Sequence, residues 1–377
     1  MSLPIITLFG INLVSFSLGL GAFFGIYAIV GLSLNLELGY TGIPDFGKVL
    51  YFAGGAAVGG AFSGEFALWL LHAGPLSQFF TNNTPLMGRV SIILQGNTPF
   101  SIELLLLTLL VAAATGAFLG FLTSYPAIRL REDFLGMSLF AISIFFLVIM
   151  DNYTPLVGGP NGIQVPNVFA WAGDYSSVAS LVTIGIVTLG VYLYLERMVR
   201  SPLGRTLRAM RDNEESTKAQ GKDIVRNRIN VLVISSAITG VAGALYVFYS
   251  GVVLPETVGN WIPWTVYPWL IVIWGGRANN LGVILGAFVY ELFTKALDIA
   301  KSAFSSIVPF SVVWVYYLIF AVIIVAVLNL RPGGMIAEKP TATLGKSRLR
   351  HILDPFIAKE DEPSPIERES PEEQSGS

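Results

Sequence analysis

The sequence predicts an all-α fold: a polytopic transmembrane helix bundle with broken or re-entrant helices and an internal repeat. Two observations carry that expectation. Of 377 residues, 53% are hydrophobic and only 13% are charged, against about 25% charged in an ordinary soluble domain. The charges are also unevenly placed, most of them in one internal loop and in the C-terminal segment. What remains are apolar runs of about 18 residues or more, which match the hydrocarbon thickness of a bilayer as helices. The net charge of −2 hides this unevenness, and the absence of cysteine excludes disulfides, thiolate metal sites and cysteine nucleophiles. His72 and His351 lie far apart in sequence, so no histidine metal site is expected.

The first apolar run extends from Ile5 to Leu38. It is too long for a signal-peptide core and has no basic leader. It reads either as one tilted helix or as two short helices broken near Gly19 and Gly21. The stretch Gly39-Tyr40-Thr41-Gly42-Ile43-Pro44 then ends the helix. A small-residue span follows from Phe46 to about Leu71, with Gly54, Gly55, Gly59 and Gly60 available for close helix packing. Further spans are expected at Ile102–Ser124, Phe134–Met150, Val178–Leu195, Ile229–Val253 and Val312–Leu330. Between the last two, Trp264–Phe293 is interrupted by the polar stretch Trp274–Asn280. Irregular backbone at membrane depth must be buried in protein or line a wet cavity.

Basic residues set the expected orientation. The loop 197–228 holds nine Lys or Arg, and Arg129 and Arg131 follow the span ending at Ser124. The segments Asp151–Ser177 and Leu254–Pro268 hold none. The basic loops and the C-terminus are therefore expected in the cytoplasm, with Trp264–Phe293 entering and leaving on the outside. Lys295 and Lys301 then fall outside, against the rule. The aromatic residues Trp261, Trp264, Tyr267 and Trp269 read as an interfacial belt. In domain terms, residues 1–330 form the transmembrane domain and 331–377 a cytoplasmic polar tail. From about Lys359 the tail is acidic and rich in Pro and Ser, a composition that favours disorder.

The loop carries the strongest functional pattern. Leu203, Leu207 and Met210 recur at helical spacing, with Arg205, Arg208 and Arg211 beside them. Pattern alone leaves two readings open: a helix that docks on a partner, or a basic helix held by anionic lipid. The carboxylates Glu37, Asp45, Glu65 and Glu291 admit a proton relay, but their places near breaks and span ends favour interfacial or paired charges. Gly345-Lys346-Ser347 imitates the end of a P-loop, but Pro340 stands where the first glycine is required.

Gly204, Arg205, Arg208, Ala209, Arg211, Asp212, Asn213, Glu214 and Gly221 fit a pattern G-R-A-x-R-A-x-R-D-N-E followed by a glycine, with Thr206 in place of its alanine. This loop resembles the coupling loop of the LivM- and LivH-type branched-chain amino acid ABC transporter permease family. Three further segments resemble that family in order: Leu34 to Gly42, the Gly158-Gly159-Pro160-Asn161-Gly162-Ile163 loop, and Ile234 to Leu245. Gly275-Gly276 with Leu281 to Ala287 resembles its late glycine-rich segment. Asp45-Phe46-Gly47-Lys48 departs from the family's Ser-Leu-Gly-His, and Arg277 stands where a small or apolar residue is common.

The resemblance implies a permease subunit of an ATP-driven importer for branched-chain amino acids or a related small polar solute, not an enzyme. It implies an ATPase-coupling surface at Leu203, Gly204, Arg205, Leu207, Arg208, Met210, Arg211, Asn213, Glu214 and Gly221. The pathway is expected beside Gly39, Tyr40, Gly42, Gly54, Gly55, Gly275 and Gly276, where broken helices free polar backbone groups. Gly158, Gly159, Asn161 and Gly162 form the expected external loop. The implied partners are two cytoplasmic ABC ATPase subunits, a second homologous permease subunit, an extracytoplasmic solute-binding protein and the lipid bilayer, with no nucleic acid. This chain is expected to bind no cofactor, ATP and Mg being used by the ATPase. The alternatives are an ion-gradient-driven transporter using Glu37, Asp45 or Glu291, and an ABC permease for urea or short amides.

Overall fold

The computed structural model describes residues 7–8, 11–130, 132–304, 321–322, 325, 329 and 333–338. The expected span Val312–Leu330 therefore falls largely outside the described residues, as does the tail from Lys339, including the segment expected to be disordered. Five described helices are long and apolar enough to cross a membrane: Leu13–Thr41, Thr98–Ala127, Phe134–Asn152, Ala170–Arg200 and Ile224–Ser250.

Within the first apolar run, Thr7–Leu8 and Ile11–Asn12 pair as two short antiparallel strands, and the rest is one unbroken helix from Leu13. Helix α1 (Leu13–Leu34) runs into a π-helical turn, Asn35–Thr41, that stops at Gly42 in the left-handed region (φ 79°). Gly19 and Gly21 lie inside α1, and Gly21 faces Leu181 where a Cβ would approach to 2.8 Å. With no proline in the run, glycines serve packing and leave the helix unbroken. The chain turns through Ile43–Gly47 into α2 (Lys48–Ala57), which continues through a π turn (Val58–Phe62) into α3 (Ser63–Leu70).

Helix α4 (Asn83–Gly96) lies between the spans expected to end near Leu71 and to begin at Ile102, and it buries Leu86, Met87, Val90 and Leu94. Asn97 then caps α5 (Thr98–Arg129) by accepting from Phe100 N at 3.3 Å. Next come α6 (Glu132–Asn152), a one-turn α7 (Thr154–Val157) and α8 (Ser176–Arg200). Outside the spans lie α9 (Pro202–Asp212) and α10 (Glu214–Ala219), each started as local chemistry dictates. Pro202 occupies the first turn of α9, and Asn213 accepts from Ser216 N at 2.9 Å to cap α10.

Helix α11 (Ile224–Ser250), capped by Asp223, is the centre of the bundle. Its apolar stretch is 72% buried, against 22–39% for the other four long spans. It can be central because small residues let its neighbours approach closely. A Cβ at Gly55 would lie 1.9 Å from Gly240 O, so α2 and α11 meet nearly backbone to backbone.

After α12 (Pro255–Val258), a π turn (Ile262–Val266) leads into α13 (Tyr267–Gly275), and α14 (Asn280–Phe304) returns alongside α1. The pair α13 and α14 is the broken element expected from Trp264–Phe293. Its halves meet where a Cβ on Gly275 would stand 2.3 Å from Gly282 O. The break is level with Asn35 and Glu196, at the α9 end of the bundle, because Ala278 and Asn280 bond to those residues.

The aromatic belt is corrected by this packing. Trp261 is 44% exposed, but Trp264 is 2% exposed and stacks on Phe52 with centroids 3.7 Å apart. Trp269 stacks on Phe46 at 4.4 Å. At the end of the bundle opposite α9, the two-residue strands Ile163–Gln164 and Val252–Val253 pair antiparallel.

Candidate functional site

Four segments meet at the α9 end: the π turn Asn35–Thr41, the break Gly275–Asn280, helix α9 and the short segment Gly333–Glu338. Asn35 joins the two breaks. Its Oδ1 accepts from Ala278 N at 2.9 Å, and its Nδ2 donates to Asn280 Oδ1 at 3.0 Å. Asn280 Nδ2 in turn donates to Glu196 Oε2 at 2.9 Å, tying the second break to the end of α8. Gly39 packs into this junction, since a Cβ there would lie 2.1 Å from Asn35 Oδ1. Buried amides satisfied in this way fix a single register between the two broken helices.

Helix α9 grips the first break. Arg211 Nη1 donates to Gly39 O at 2.7 Å, and Gly42 packs against the Arg211 side chain. The Arg208 guanidinium lies over the Tyr40 ring, 5.2 Å from its centroid. Glu338 closes the arrangement, with Oε1 3.1 Å from Arg208 Nε and Oε2 2.9 Å from Arg211 Nη2. Burial works against the Arg211 charge, but the Glu338 carboxylate, with Asp212, more than offsets it and holds its pKa above the ordinary arginine value.

The segment Gly333–Glu338 is itself bonded to the second break. Met335 N donates to Trp274 O at 2.7 Å, Ile336 N to Gly275 O at 3.1 Å and Asn279 Nδ2 to Ala337 O at 3.3 Å. The four segments therefore form a closed ring of direct contacts: α9, first break, second break, C-terminal strap, and back to α9.

Within α9 the predicted face divides. Gly204, Leu207 and Met210 are buried against this chain's own body, Leu203 is partly buried, and Arg205 is exposed. The apolar stripe thus seats the helix on its own bundle. Asn213, Glu214 and Gly221 are exposed beyond it, and Glu214 pairs with Arg228 at 2.8 Å. Gly39, Tyr40, Gly42, Gly275 and Gly276 come together in the ring. Gly54 and Gly55 do not: they face Leu119 of α5 and Gly240 of α11. At the opposite end, Gly158 and Gly159 are followed by exposed Asn161 and by Gly162. Asn161 and Gly162 line a cleft of about 440 Å³ with Asn82, Asn83, Thr84 and Gln164.

Sequence reasoning left a second cluster unassigned. Lys48 Nζ lies 2.8 Å from Glu37 Oε2 and 3.6 Å from Asp45 Oδ2, with all three side chains fully buried. Lys48 also donates to Ser235 Oγ at 2.5 Å, and Ser235 donates to Ser33 O at 2.8 Å. The signal was present in Asp45 and Lys48, where the chain departs from the family pattern. Glu37 and Asp45 are thus paired charges in the interior and do not lie at an interface. Glu338 had no sequence signal at all.

A bundle with five membrane-length helices among the described residues and two helix breaks joined by Asn35, the first of them gripped by a helix outside the spans, fits the membrane component of a transporter. Residues 17–328 match the family described as branched-chain amino acid transport system / permease component, and the chain belongs to that family. It is 37% identical over 324 residues to the probable branched-chain amino acid transport permease protein LivM of Methanocaldococcus jannaschii, covering 85% of this chain and 93% of that one. The high-affinity branched-chain amino acid transport system permease protein LivM of Escherichia coli is 28% identical over 290 residues. That match covers 70% of this chain and 59% of the length of the Escherichia coli protein. The probable permease LivH of Methanocaldococcus jannaschii is 26% identical over 238 residues, covering 59% of this chain and 74% of that one. No solved structure matches the chain. The protein is a multi-pass membrane permease subunit and not an enzyme.

Proposed function

We propose that this chain is the membrane-spanning subunit of an ATP-driven importer of branched-chain amino acids. It works with two cytoplasmic ABC ATPase subunits, a second homologous permease subunit and an extracytoplasmic solute-binding protein. ATP and Mg belong to the ATPases, and the chain itself holds no cofactor. The nine basic residues of loop 197–228 support a cytoplasmic side for α9 and the ring, the orientation this reading adopts. The cleft beside Asn161 and Gly162 then faces the binding protein.

The observation that carries this reading is the bond from Arg211 to Gly39 O, which links α9 to both helix breaks through Asn35. A helix seated this way can pass displacement to the first break because Arg211 and Arg208 hold Gly39 and Tyr40. What it offers a partner is the other side: Arg205, Asn213, Glu214, Glu215 and Lys218, all exposed. Charge there gives register and specificity for a docking ATPase.

The reading is tested by co-purifying the chain with its co-expressed ATPase subunits from gently solubilised membranes. Arg205→Glu should lower ATPase recovery by about tenfold, the scale of one charge contact of 1.4 kcal/mol, while the permease still inserts. Undiminished recovery and normal coupled transport would remove α9 as the docking element.

A further inference from the structure

The Glu37–Asp45–Lys48 cluster is not explained by the ring. Two carboxylates face one ammonium, and all three side chains are fully buried. Among the described residues Glu37 Oε1 and Asp45 Oδ2 accept no hydrogen bond, while Asp45 Oδ1 accepts from Gly47 N at 2.7 Å. A structural pair needs one carboxylate, and at membrane depth even a balanced pair is often no better than apolar side chains of the same volume. The surplus carboxylate and its unpaired oxygen call for a further cationic group. The other titratable side chain here is Tyr51, whose ring lies 5.6 Å from Lys48 Nζ and whose hydroxyl pairs with Thr123 at 2.7 Å.

An apolar wall adjoins the cluster. Phe52 follows Lys48 by one turn and shares its face of α2. It stacks on Trp264, which is packed in turn by Tyr27 at 5.5 Å and Tyr246 at 4.9 Å. Thr265, next to Trp264, accepts from Val49 N at 3.2 Å, so the same two elements hold the polar and the aromatic half together.

From this juxtaposition we propose that Glu37, Asp45 and Lys48, with the Phe52–Trp264 stack, form an occluded site for the zwitterion of an apolar amino acid in transit. Glu37 and Asp45 take its ammonium, Lys48 takes its carboxylate, and the aromatic wall takes its aliphatic side chain. Binding is an exchange of ion pairs: Lys48 leaves Glu37 for the substrate carboxylate as the substrate ammonium replaces it. The net charge of the site is the same before and after, and each charge of the zwitterion gains a buried partner that offsets its own desolvation. Opening the site falls to the ring, because Glu37 lies in the π turn held by Arg211, and α13 joins the turn that bears Trp264 to the second break. This site rests on the reading of the cargo as an amino acid.

The test is leucine uptake by proteoliposomes containing the complete importer, comparing wild type with Glu37→Gln/Asp45→Asn/Lys48→Met. Neutralising all three leaves no lone buried charge, so a purely structural cluster would tolerate it. The site predicts normal assembly and thermal stability with uptake lowered about tenfold or more; uptake within about twofold of wild type would overturn it. Should the triple variant not assemble, Lys48→Arg keeps the charge but moves it. That variant is expected to raise the KM for leucine uptake, and an unchanged KM would equally overturn the site. Wild-type importer that moves another solute but no branched-chain amino acid would contradict the proposed function, a result distinct from either failure of the site.

Discussion

Arg211 holds oxygens from three parts of the chain at once: Gly39 O in the first break, Asp212 on its own helix and Glu338 in the strap. Its raised pKa fixes the sign of any pH effect. A cation stabilised in the folded state contributes fully below its unfolded pKa and loses that contribution only as pH rises through the folded value. Here that value lies above the ordinary arginine value, so the grip of Arg211 persists throughout the physiological range. Glu338 is a different case. Its pairs are 19–28% exposed, so Glu338→Gln is expected to cost only about 1 kcal/mol of stability or less. Its larger effect falls on transmission, because it is the one side chain that bridges the strap to both arginines among the described residues. Uptake driven by ATP should fall while the melting temperature in detergent barely moves; a large loss of melting temperature with normal uptake per ATP would assign Glu338 to stability alone.

At the scale of elements, the decisive contacts are those where side chains are missing. The α2–α11 approach at Gly55 and Gly240 brings the Lys48 and Phe52 face of α2 against Ser235 of α11. Gly55→Val should therefore abolish the folded bundle, because no rotamer relieves a clash with backbone. Gly190→Ala in α8 meets nothing within 4 Å and should be neutral or slightly stabilising through helix propensity. Thermal unfolding of the two purified variants checks the contrast, and similar behaviour of both would contradict the packing described.

The spans among the described residues were legible in the sequence because apolar length is a property of a single segment. The break at Trp274–Asn280 was legible as polar residues inside an apolar run, and α9 as Leu203, Leu207 and Met210 at helical spacing. What covers an apolar face is a tertiary fact. The stripe of α9 reads the same whether it meets a partner or the chain's own bundle, and only the structure shows Leu207 and Met210 turned inward. Helix α4 was hidden for the same reason, being too short and too polar to stand out among spans. Trp264 looked interfacial from its neighbours in sequence, while Phe52, more than 200 positions away, buries it.

For the molecule as a whole, the proposed coupling uses the ring to carry a local event at α9 to both helix breaks. One contact from α9 reaches the first break, Asn35 carries it to the second, and the strap returns it to α9. If this closed loop of short bonds moves as a unit, a displacement of α9 is expected to alter both breaks together. Such coupling is expected to show in the ratio of transport to hydrolysis more than in either alone. The most direct measurement is leucine taken up per ATP hydrolysed in proteoliposomes of the assembled importer, wild type against Arg211→Ala. Loss of the charged bond to Gly39 O, about 1.5–3 kcal/mol, should lower that ratio about tenfold or more with ATPase recovery intact. A ratio equal to wild type in a fully assembled complex would contradict the ring as the path of coupling.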